Sequence, residues 1–141
     1  MTPGKRLLLV ASCALIDNRR HVLIAKRPLG RSLAGLWEFP GGKLEPGEAP
    51  EDAVIREMRE ELAVTTDRLW LSPLTFASHA YPDFHLFMPL FVCHRWQGDP
   101  RPLEEQEIAW VDPSQLCMDG SAYPMPPADR PLIPALVAYL R

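Results

Sequence analysis

The sequence predicts an α+β domain in which strands outnumber helices. Most apolar residues fall in strand-like runs bounded by Gly, Pro, Asn and Asp, and only Pro50–Leu62 and Pro131–Leu140 have the periodicity of helices. The two helices are well separated, and neither a linker nor an internal repeat divides the 141 residues. Because two independent cores in a chain of this length would each be marginal, we expect one layered domain over residues 1–141.

Six segments are predicted to be strands from their apolar, β-branched and aromatic content: Leu7–Ile16, His21–Arg27, Trp37–Phe39, Leu69–Ser78, Phe84–Trp96 and Ile108–Val111. The first two would form a β-hairpin through an Asp-Asn turn. Pro89 has no N–H to donate and therefore indicates a sheet edge or a bulge in the fifth strand. Residues 28–36 and 43–49 are predicted to be loops, and residues 112–116 a helical turn.

The segment Pro50–Leu62 is the clearest helix of the sequence. Pro50 suits the first turn, and the acidic residues after it favour the positive end of the helix dipole. At about 100° per residue, one face is apolar and would pack on the core: Val54, Ile55, Met58 and Leu62. Glu57, Glu60 and Glu61 fall at i, i+3 and i+4, so their carboxylates share a second face and repel one another.

The composition excludes several classes of function. A formal net charge of −3 and a pI near 5.8 argue against the broad basic surface of a duplex-binding protein. No apolar run reaches the roughly 20 residues of a membrane helix, and Leu7–Ile16 resembles a signal peptide but lacks a small-residue cleavage site. Cys13, Cys93 and Cys117 form no CxxC pair. We expect a cytoplasmic protein that binds neither membranes nor duplex nucleic acid.

Acidic residues are concentrated around the first helix. Between Glu45 and Glu61 there are seven acidic side chains and two arginines. A solvated helix face would explain the same charges, but a Gly-Gly and a Pro-Gly loop lead directly into the helix. Carboxylates are hard oxygen ligands that suit Mg²⁺ or Mn²⁺, and an acidic pocket filled with such cations can bind a polyphosphate. The local sequence therefore favours a divalent-cation site for an anionic substrate.

The spacing of these residues resembles the Nudix box. Over residues 42–64 the sequence reads Gly42-x5-Glu48-x7-Arg56-Glu57-Met58-x-Glu60-Glu61-x-Ala63-Val64, which matches every polar position of that motif. Ala63 stands where the family usually has Gly, at the left-handed end of the helix, and indicates a changed helix exit. Residues 35–43, the late loop with Glu104 and Gln106, and residues 127–132 are similar to segments of the MutT-like branch. The resemblance implies an α/β/α sandwich around a mixed sheet, with the box as loop–helix–loop.

The resemblance also implies roles for individual acidic residues. The metal ligands would be the Gly41 carbonyl and the carboxylates of Glu57, Glu60 and Glu61. The structural positions of the motif would be Gly42, Glu48 and Arg56, with the last two forming a buried pair that ties the loop to the helix. Glu104 resembles a loop carboxylate that joins the metal site or orients water, although a solvated loop position would also explain it. Glu57 is the first candidate for the general base, and Glu104 is the second.

A further group of residues is assigned to the nucleotide: Arg27, Glu38, Phe39, Lys43, Tyr81 and Asp129. Arg27, Glu38 and Phe39 resemble positions at the nucleotide pocket, and Lys43 with Arg27 could stabilise phosphate oxygens. Tyr81 could stack on a base or cover the sheet. Asp129 stands where the bacterial 8-oxoguanine enzymes commonly have Asn, so it would either contact the base or act as the N-cap of the last helix.

The sequence accordingly predicts a Nudix hydrolase that uses Mg²⁺, with Mn²⁺ as a substitute, to convert a nucleoside triphosphate into a monophosphate and pyrophosphate. The substrate expected first is 8-oxo-dGTP, which would make the protein a nucleotide-pool sanitising enzyme. The alternative is a pyrimidine triphosphate such as CTP, dCTP or 5-methyl-dCTP, because Asp129 also resembles that branch. A non-catalytic nucleotide sensor and a structural interaction domain are alternatives of other classes. The expected partner is the small nucleotide itself, and the sequence leaves the oligomeric state open.

Overall fold

The computed structural model describes residues 4–30, 34–116 and 120–141, which contain seven strands and two α-helices. In chain order these elements are β1 (Arg6–Leu15), β2 (Val22–Lys26), β3 (Trp37–Glu38), β4 (Gly41–Lys43), α1 (Pro50–Leu62), β5 (Leu71–Ala80), β6 (Phe84–Cys93), β7 (Glu107–Val111) and α2 (Ile133–Tyr139). Single 3₁₀ turns precede β5 at Arg68–Trp70, follow β7 at Pro113–Gln115 and precede α2 at Arg130–Leu132. No helix of the described ranges is long and apolar enough to cross a membrane.

The strands form two sheets that lie between the helices. The first sheet has the order β4-β1-β6-β5 and is mixed, because β1 and β6 are parallel while the other pairs are antiparallel. The second sheet, β3-β2-β7, is antiparallel. Helix α1 packs on one face of the first sheet, and the other face meets the second sheet and α2. The predicted α+β architecture, an α/β/α sandwich with a mixed sheet, is confirmed.

The second half of strand β1, Ala11 to Leu15, is buried on both of its faces. Cys13 and Leu15 pack with Met58 and Leu62 of α1, whereas Ala14 lies in the cluster between the sheets and α2. Met58 and Leu62 are both 0% exposed, and burial of such a side chain stabilises the fold by about 1.5–3 kcal/mol. The apolar face predicted for α1 is therefore the face that holds the helix on the sheet, and its other side is left for the carboxylates.

The β-hairpin predicted for the first two strands is wrong. β1 pairs with β4 and β6, β2 pairs with β3 and β7, and the bridge between Ile16 and Val22 is the contact that joins them. The Asp-Asn turn does form, since the Asp17 carboxylate accepts hydrogen bonds from the backbone N–H groups of Arg19 and His21. The turn instead directs the chain from the first sheet to the second. The second sheet then covers one apolar face of β1, and α1 covers the other face.

The sheet edge predicted from Pro89 is also wrong, because β6 is a central strand. On one side Pro89 faces Phe76 of β5, and on the other side the pairing with β1 is interrupted near the proline. The Ser12 hydroxyl donates a hydrogen bond of 3.0 Å to the Pro89 carbonyl at this gap. One local interruption thus accommodates the missing N–H without moving the strand to an edge.

Two further corrections bear on the site. Gly41–Lys43, which includes the start of a predicted loop, forms strand β4 and pairs with β1 at the edge of the first sheet. The changed helix exit predicted at Ala63 is wrong: Ala63 has φ 60° and ψ 31°, the usual left-handed end, at a cost of about 1 kcal/mol for a side chain with Cβ. Cys13 and Cys93 are buried free thiols, as predicted, and Cys117 lies outside the described residues.

Candidate active site

One cleft of about 140 Å³ brings together several of the predicted site residues. It lies between the ends of β2 and β3, the Pro-Gly segment before β4, the last turn of α1 and the loop before β7. Its lining consists of Ala25, Lys26, Arg27, Pro28, Glu38, Pro40, Gly41, Glu61, Glu104 and Gln106. Five of these were predicted from the sequence: Arg27, Glu38, Gly41, Glu61 and Glu104. We call the group Gly41, Gly42, Glu57, Glu60 and Glu61 the acid end; Gly41 and Glu61 line the cleft, whereas Gly42, Glu57 and Glu60 are not among its lining residues.

Arg56 fixes α1 to the loop that precedes it. Its guanidinium donates to both carboxylate oxygens of Glu48 at 3.0 Å and to the Lys43 carbonyl at 3.1 Å. Glu48 also accepts a hydrogen bond from the Glu45 backbone N–H at 3.0 Å. These bonds favour the charged form, so the pKa of Glu48 lies below its ordinary value, with the Arg56 hydrogen bonds as the main cause. The Arg56 and Glu48 side chains are 23% and 14% exposed, so the two-pronged pair is largely shielded.

The same guanidinium also contacts two of the predicted metal ligands. Its Nη1 lies 2.8 Å from Glu57 Oε1 and 3.4 Å from Glu60 Oε2. Glu57 packs directly over Gly42, where a Cβ would lie 2.5 Å from Glu57 Oε1. At Gly41 a Cβ would lie 2.1 Å from the Ala11 carbonyl oxygen of β1. The two glycines therefore allow the backbone to approach a carboxylate on one side and a strand on the other.

At the acid end the Arg56 guanidinium contacts Glu57 and Glu60, whereas Glu61 lies close to other carboxylates. Burial, followed by the charges of Glu57, Glu104 and Glu38, raises the pKa of Glu61 to about 9. The pKa of Glu57 is raised as well, mainly by burial, although Arg56 opposes the shift. Such shifts show that the cleft disfavours more negative charge unless a cation accompanies it.

The donor atoms at the acid end fit a divalent cation such as Mg²⁺ or Mn²⁺. In the described part of the chain, no three His, Cys, Asp or Glu side chains already converge as an ion site, and Glu60 lies beside Arg56. The Glu57 and Glu61 carboxylates are nonetheless hard oxygen donors, and the Gly41 backbone lines the cleft beside Glu61. Glu60, whose side chain is 55% exposed, can join them once it turns away from Arg56.

We give the name nucleobase end, after the prediction from the sequence, to Arg27, Glu38, Phe39, Tyr81 and Asp129. Of these, Arg27 and Glu38 line the cleft, whereas Phe39, Tyr81 and Asp129 are not among its lining residues. Arg27 Nε lies 3.2 Å from Glu38 Oε1, and this ion pair forms one wall of the cleft. The Phe39 side chain is buried, and its backbone N–H donates a hydrogen bond of 3.4 Å to Asp129 Oδ2. Burial raises the pKa of Glu38, and the Arg27 charge opposes the shift.

Asp129 is 5% exposed, and its side chain does not cap the last helix, so that alternative is wrong. The Leu132 N–H instead binds the Asp129 backbone carbonyl at 3.0 Å, which leaves the carboxyl to accept from Phe39. Burial, with the charge of Glu38 as the second cause, raises the Asp129 pKa to about 8. A carboxyl group in this environment holds a proton at neutral pH.

The structure brings Tyr81 to Asp129 but leaves Lys43 elsewhere. Burial and the Asp129 charge raise the Tyr81 pKa, and the backbone of Ala128 opposes the shift. Its ring packs against His79 and Phe84 at centroid distances of 4.6 and 5.0 Å. Lys43 is exposed on β4 and is not among the residues that line the cleft, and its contact with phosphate stays a prediction.

Sequence reasoning missed two polar residues of the cleft, Lys26 and Gln106. Lys26 ends β2, and its Nζ lies 6.0 Å from the ring centroid of Trp37. Gln106 belongs to the late loop that resembles the family, but no role followed from its position. Neither residue has a local signal, since both reach the cleft only through the pairing of β2 with β7 and the path of the loop before β7.

Comparison with known proteins agrees with this geometry. The chain is 33% identical over 129 residues to the 8-oxo-dGTP diphosphatase of Escherichia coli, an alignment that covers 92% of this chain and 95% of the relative. It is 35% identical over 135 residues to the CTP pyrophosphohydrolase of the same organism, with 89% and 88% covered. The solution structure of the E. coli ORF135 protein matches with a TM-score of 0.81 and 28% identity over 97% of this chain and 94% of that one. The NUDIX domain pattern matches residues 6–136, and the chain therefore belongs to the NUDIX family.

Proposed function

We propose that this protein hydrolyses a nucleoside triphosphate to a nucleoside monophosphate and pyrophosphate. The observation that carries the proposal is that the acid end and the nucleobase end meet in one cleft, which Glu61 and Glu104 share with Arg27 and Glu38. A triphosphate needs charge neutralisation at one end and a base contact at the other, and this cleft offers both. Relatives named 8-oxo-dGTP diphosphatase and CTP pyrophosphohydrolase support the same activity.

The cation that we propose is Mg²⁺, with Mn²⁺ as a substitute, because the donors at the acid end are oxygens. When bound, such a cation neutralises phosphate charge and lowers the pKa of water. The chain itself supplies the carboxylates that hold it, and Arg56 keeps α1 in place against the loop before it. Arg27, oriented by Glu38, supplies a fixed positive charge at the wall of the cleft for a phosphate oxygen.

We propose Glu104 as the general base, with Glu57 as the second candidate. Glu57 Oε1 already accepts a hydrogen bond from Arg56 at 2.8 Å, which reduces its ability to take a proton from water. Glu104 lines the cleft and is close enough to Glu61 to raise the pKa of that residue. The geometry thus favours the loop carboxylate over the helix carboxylate and reverses the order that the sequence suggests.

We propose that Asp129 contacts the base in its protonated form. A protonated carboxyl offers one donor and one acceptor, as the amide of Asn does. It can donate to guanine O6 while accepting from a ring N–H, or donate to cytosine N3 while accepting from the N4 amino group. The 8-oxo-dGTP assignment stands first because of the similarity to an 8-oxo-dGTP diphosphatase, and CTP or its deoxy and methylated forms are the second candidate. Asp129 itself and the similarity to a CTP pyrophosphohydrolase favour that second candidate.

We propose that residues 1–141 act as one domain in the cytoplasm on free nucleotide. The test is pyrophosphate release with Mg²⁺ and with Mn²⁺ across 8-oxo-dGTP, dGTP, dATP, CTP, dCTP and 5-methyl-dCTP. Preference for 8-oxo-dGTP supports the sanitising role, and preference for the cytosine substrates moves the same chemistry to pyrimidines. Absence of turnover of every nucleotide with either cation would overturn the proposal in favour of a nucleotide sensor.

A further inference from the structure

The loop before β7 is attached to the last turn of α1, where helix carbonyls lack partners within the helix. The backbone N–H of Arg101 donates to the Leu62 carbonyl at 3.0 Å, and the N–H of Leu103 donates to the Glu61 carbonyl at 2.9 Å. Glu61, whose carboxylate lines the cleft, therefore also anchors the loop through its backbone carbonyl. Glu104, whose carboxylate also lines the cleft, comes directly after Leu103, the second residue of the loop that binds the helix.

Gln106 joins these two acidic residues with a single amide. Its Oε1 accepts a hydrogen bond of 2.8 Å from the Glu104 backbone N–H, and its Nε2 donates one of 3.0 Å to the Glu61 carbonyl. Both bonds require a group that donates and accepts at once, which glutamine provides and neither leucine nor glutamate can reproduce. Gln106 itself lines the cleft beside Glu61 and Glu104.

Backbone strain at Glu105 indicates that this turn is held in place. Glu105 has φ 63°, a left-handed conformation that costs a residue with Cβ about 1 kcal/mol. Glu105 lies between Glu104 and Gln106, and the Gln106 side chain accepts the hydrogen bond from the Glu104 backbone N–H. Such a conformation persists only where the surrounding contacts determine it.

We propose that Gln106 is a positioning residue that holds Glu104 beside Glu61. Glu104 is exposed on a loop, so without this tie its carboxylate would move away from the acidic cleft into water. The tie sets the distance between the general base and the cation-binding end of the cleft. This inference rests on the proposed function for its effect on turnover, but the tie itself is a property of the protein without cation or nucleotide.

The test is Gln106→Met, which keeps the length of the side chain and removes both hydrogen bonds. We expect kcat to fall about 10–100-fold while KM stays within about threefold, as for a residue that orients a group of the site. In a Glu104→Gln background the same substitution should lower kcat by less than about threefold, because the group that it positions is already lost. Gln97→Met is the matched control, since Gln97 of the same loop pairs with Thr65 through its backbone.

A second readout uses the metal-free protein and does not depend on turnover. Hydrogen exchange of the Glu104 backbone amide should be about tenfold faster or more in Gln106→Met, whereas the Leu103 amide, which binds the Glu61 carbonyl directly, should keep its protection. Gln106→Glu covers the case in which the Met variant does not fold: it can still accept from Glu104 but cannot donate to Glu61. That variant should keep the Glu104 amide protected and still lose turnover.

Three results would overturn the proposal: kcat of Gln106→Met within about threefold of the parent protein, an equal loss in the Glu104→Gln background, or unchanged exchange of the Glu104 amide. A parent protein that hydrolyses no nucleotide would overturn the proposed function instead. Faster amide exchange in Gln106→Met would then still support the tie between the loop and the helix.

Discussion

The two ends of the cleft are built in different ways. The acid end comes from one continuous stretch, in which a Gly-Gly pair and a single helix bring all the carboxylates together. The nucleobase end is assembled from β2, β3, the turn between β5 and β6, and the segment before α2. The geometry of the first is thus set by helical spacing and one arginine, and that of the second by packing between distant segments.

The two ends also differ in how the negative charge of their carboxyl groups is offset. At the acid end burial and neighbouring carboxylates raise the pKa of Glu61, and in the proposed function a cation relieves this crowding. At the nucleobase end the buried carboxyl of Asp129 is relieved by a proton instead. We infer that chemistry and substrate choice are separable: substitutions at the acid end should change the rate for every nucleotide, and substitutions at the other end should change which nucleotide is preferred.

The largest effect is expected from Glu57→Gln and Glu60→Gln. Each removes a cation-binding charge while keeping the side-chain shape, so kcat should fall by about 10³-fold, or about 4 kcal/mol of activation free energy, with the fold intact. Steady-state pyrophosphate release and thermal unfolding measure the two quantities. Glu51→Gln on the same helix, outside the cleft, is the control. Retention of turnover within about tenfold in both variants would contradict the assignment of the acid end as the cation site.

A smaller effect is expected from Arg56→Lys, which tests whether one arginine sets the geometry of the acid end. Lysine cannot donate to both Glu48 oxygens, the Lys43 carbonyl and Glu57 at once, so α1 should be held less well against its loop. We expect turnover about 10–100-fold lower with an unchanged ranking of nucleotides.

The matched control for this variant is Arg59→Lys, which changes an exposed arginine of the same helix. An altered ranking of nucleotides in Arg56→Lys would show that the two ends of the cleft are coupled. The separation of chemistry from substrate choice would then be wrong, even if the loss of turnover were as expected.

The contrast between the ends also explains what the sequence could predict. Helix α1, its apolar face and the position of its carboxylates follow from residue spacing within one element, and the structure has that helix at the predicted bounds. The sheet partners of β1 could not be predicted, because a strand with two apolar faces is compatible with many neighbours. The hairpin was the wrong choice among them, and β4 was missed because its three residues include two glycines.

Side-chain partners over long distances were equally beyond the sequence. Asp129 was compatible with a helix cap or a base contact, and only the path of the chain past Phe39 removes the cap. Gln106 had no assigned role because its partners, Glu104 and Glu61, are brought together by the docking of a loop on a helix end. Lys43 is the opposite case: its charge and its position in the sequence favoured a phosphate contact, but the residue does not line the cleft.

Asp129→Ala tests the nucleobase end and should affect substrate choice more than rate. We expect the preference between 8-oxo-dGTP and CTP to change by about tenfold, with kcat for the better substrate within about threefold, because one base-reading contact is removed. Specificity constants for both nucleotides at pH 7 measure this ratio. An unchanged ranking would leave Asp129 without a role in reading the base.

A second variant of this residue, Asp129→Asn, should change the dependence of stability on pH. The folded pKa of Asp129, about 8, lies above its ordinary value of 3.8, so the folded protein keeps a proton that the unfolded chain releases between these values. This group therefore makes the free energy of unfolding fall as pH rises from about 4 to about 8. The amide introduced by Asp129→Asn is neutral throughout, so the fall should be smaller in the variant, as measured by denaturant unfolding of both metal-free proteins. Parallel curves would contradict the raised pKa.

The smallest effect is expected at the end of the helix that carries the acid end. Ala63 is left-handed, and its N–H binds the Arg59 carbonyl at 3.2 Å while the Val64 N–H binds the Met58 carbonyl at the same distance. Ala63→Gly keeps these bonds and removes the Cβ strain, at the cost of more freedom in the unfolded chain, so the free energy of unfolding should rise by about 0.5–1 kcal/mol. Ala53→Gly, inside the same helix, should lower it by about 1 kcal/mol. If the free energy of unfolding rises in Ala63→Gly and falls in Ala53→Gly, with kcat unchanged for Ala63→Gly, the exit of α1 supports the acid end by backbone conformation alone. If the free energy of unfolding falls in both variants, the Ala63 methyl group makes contacts that outweigh its strain.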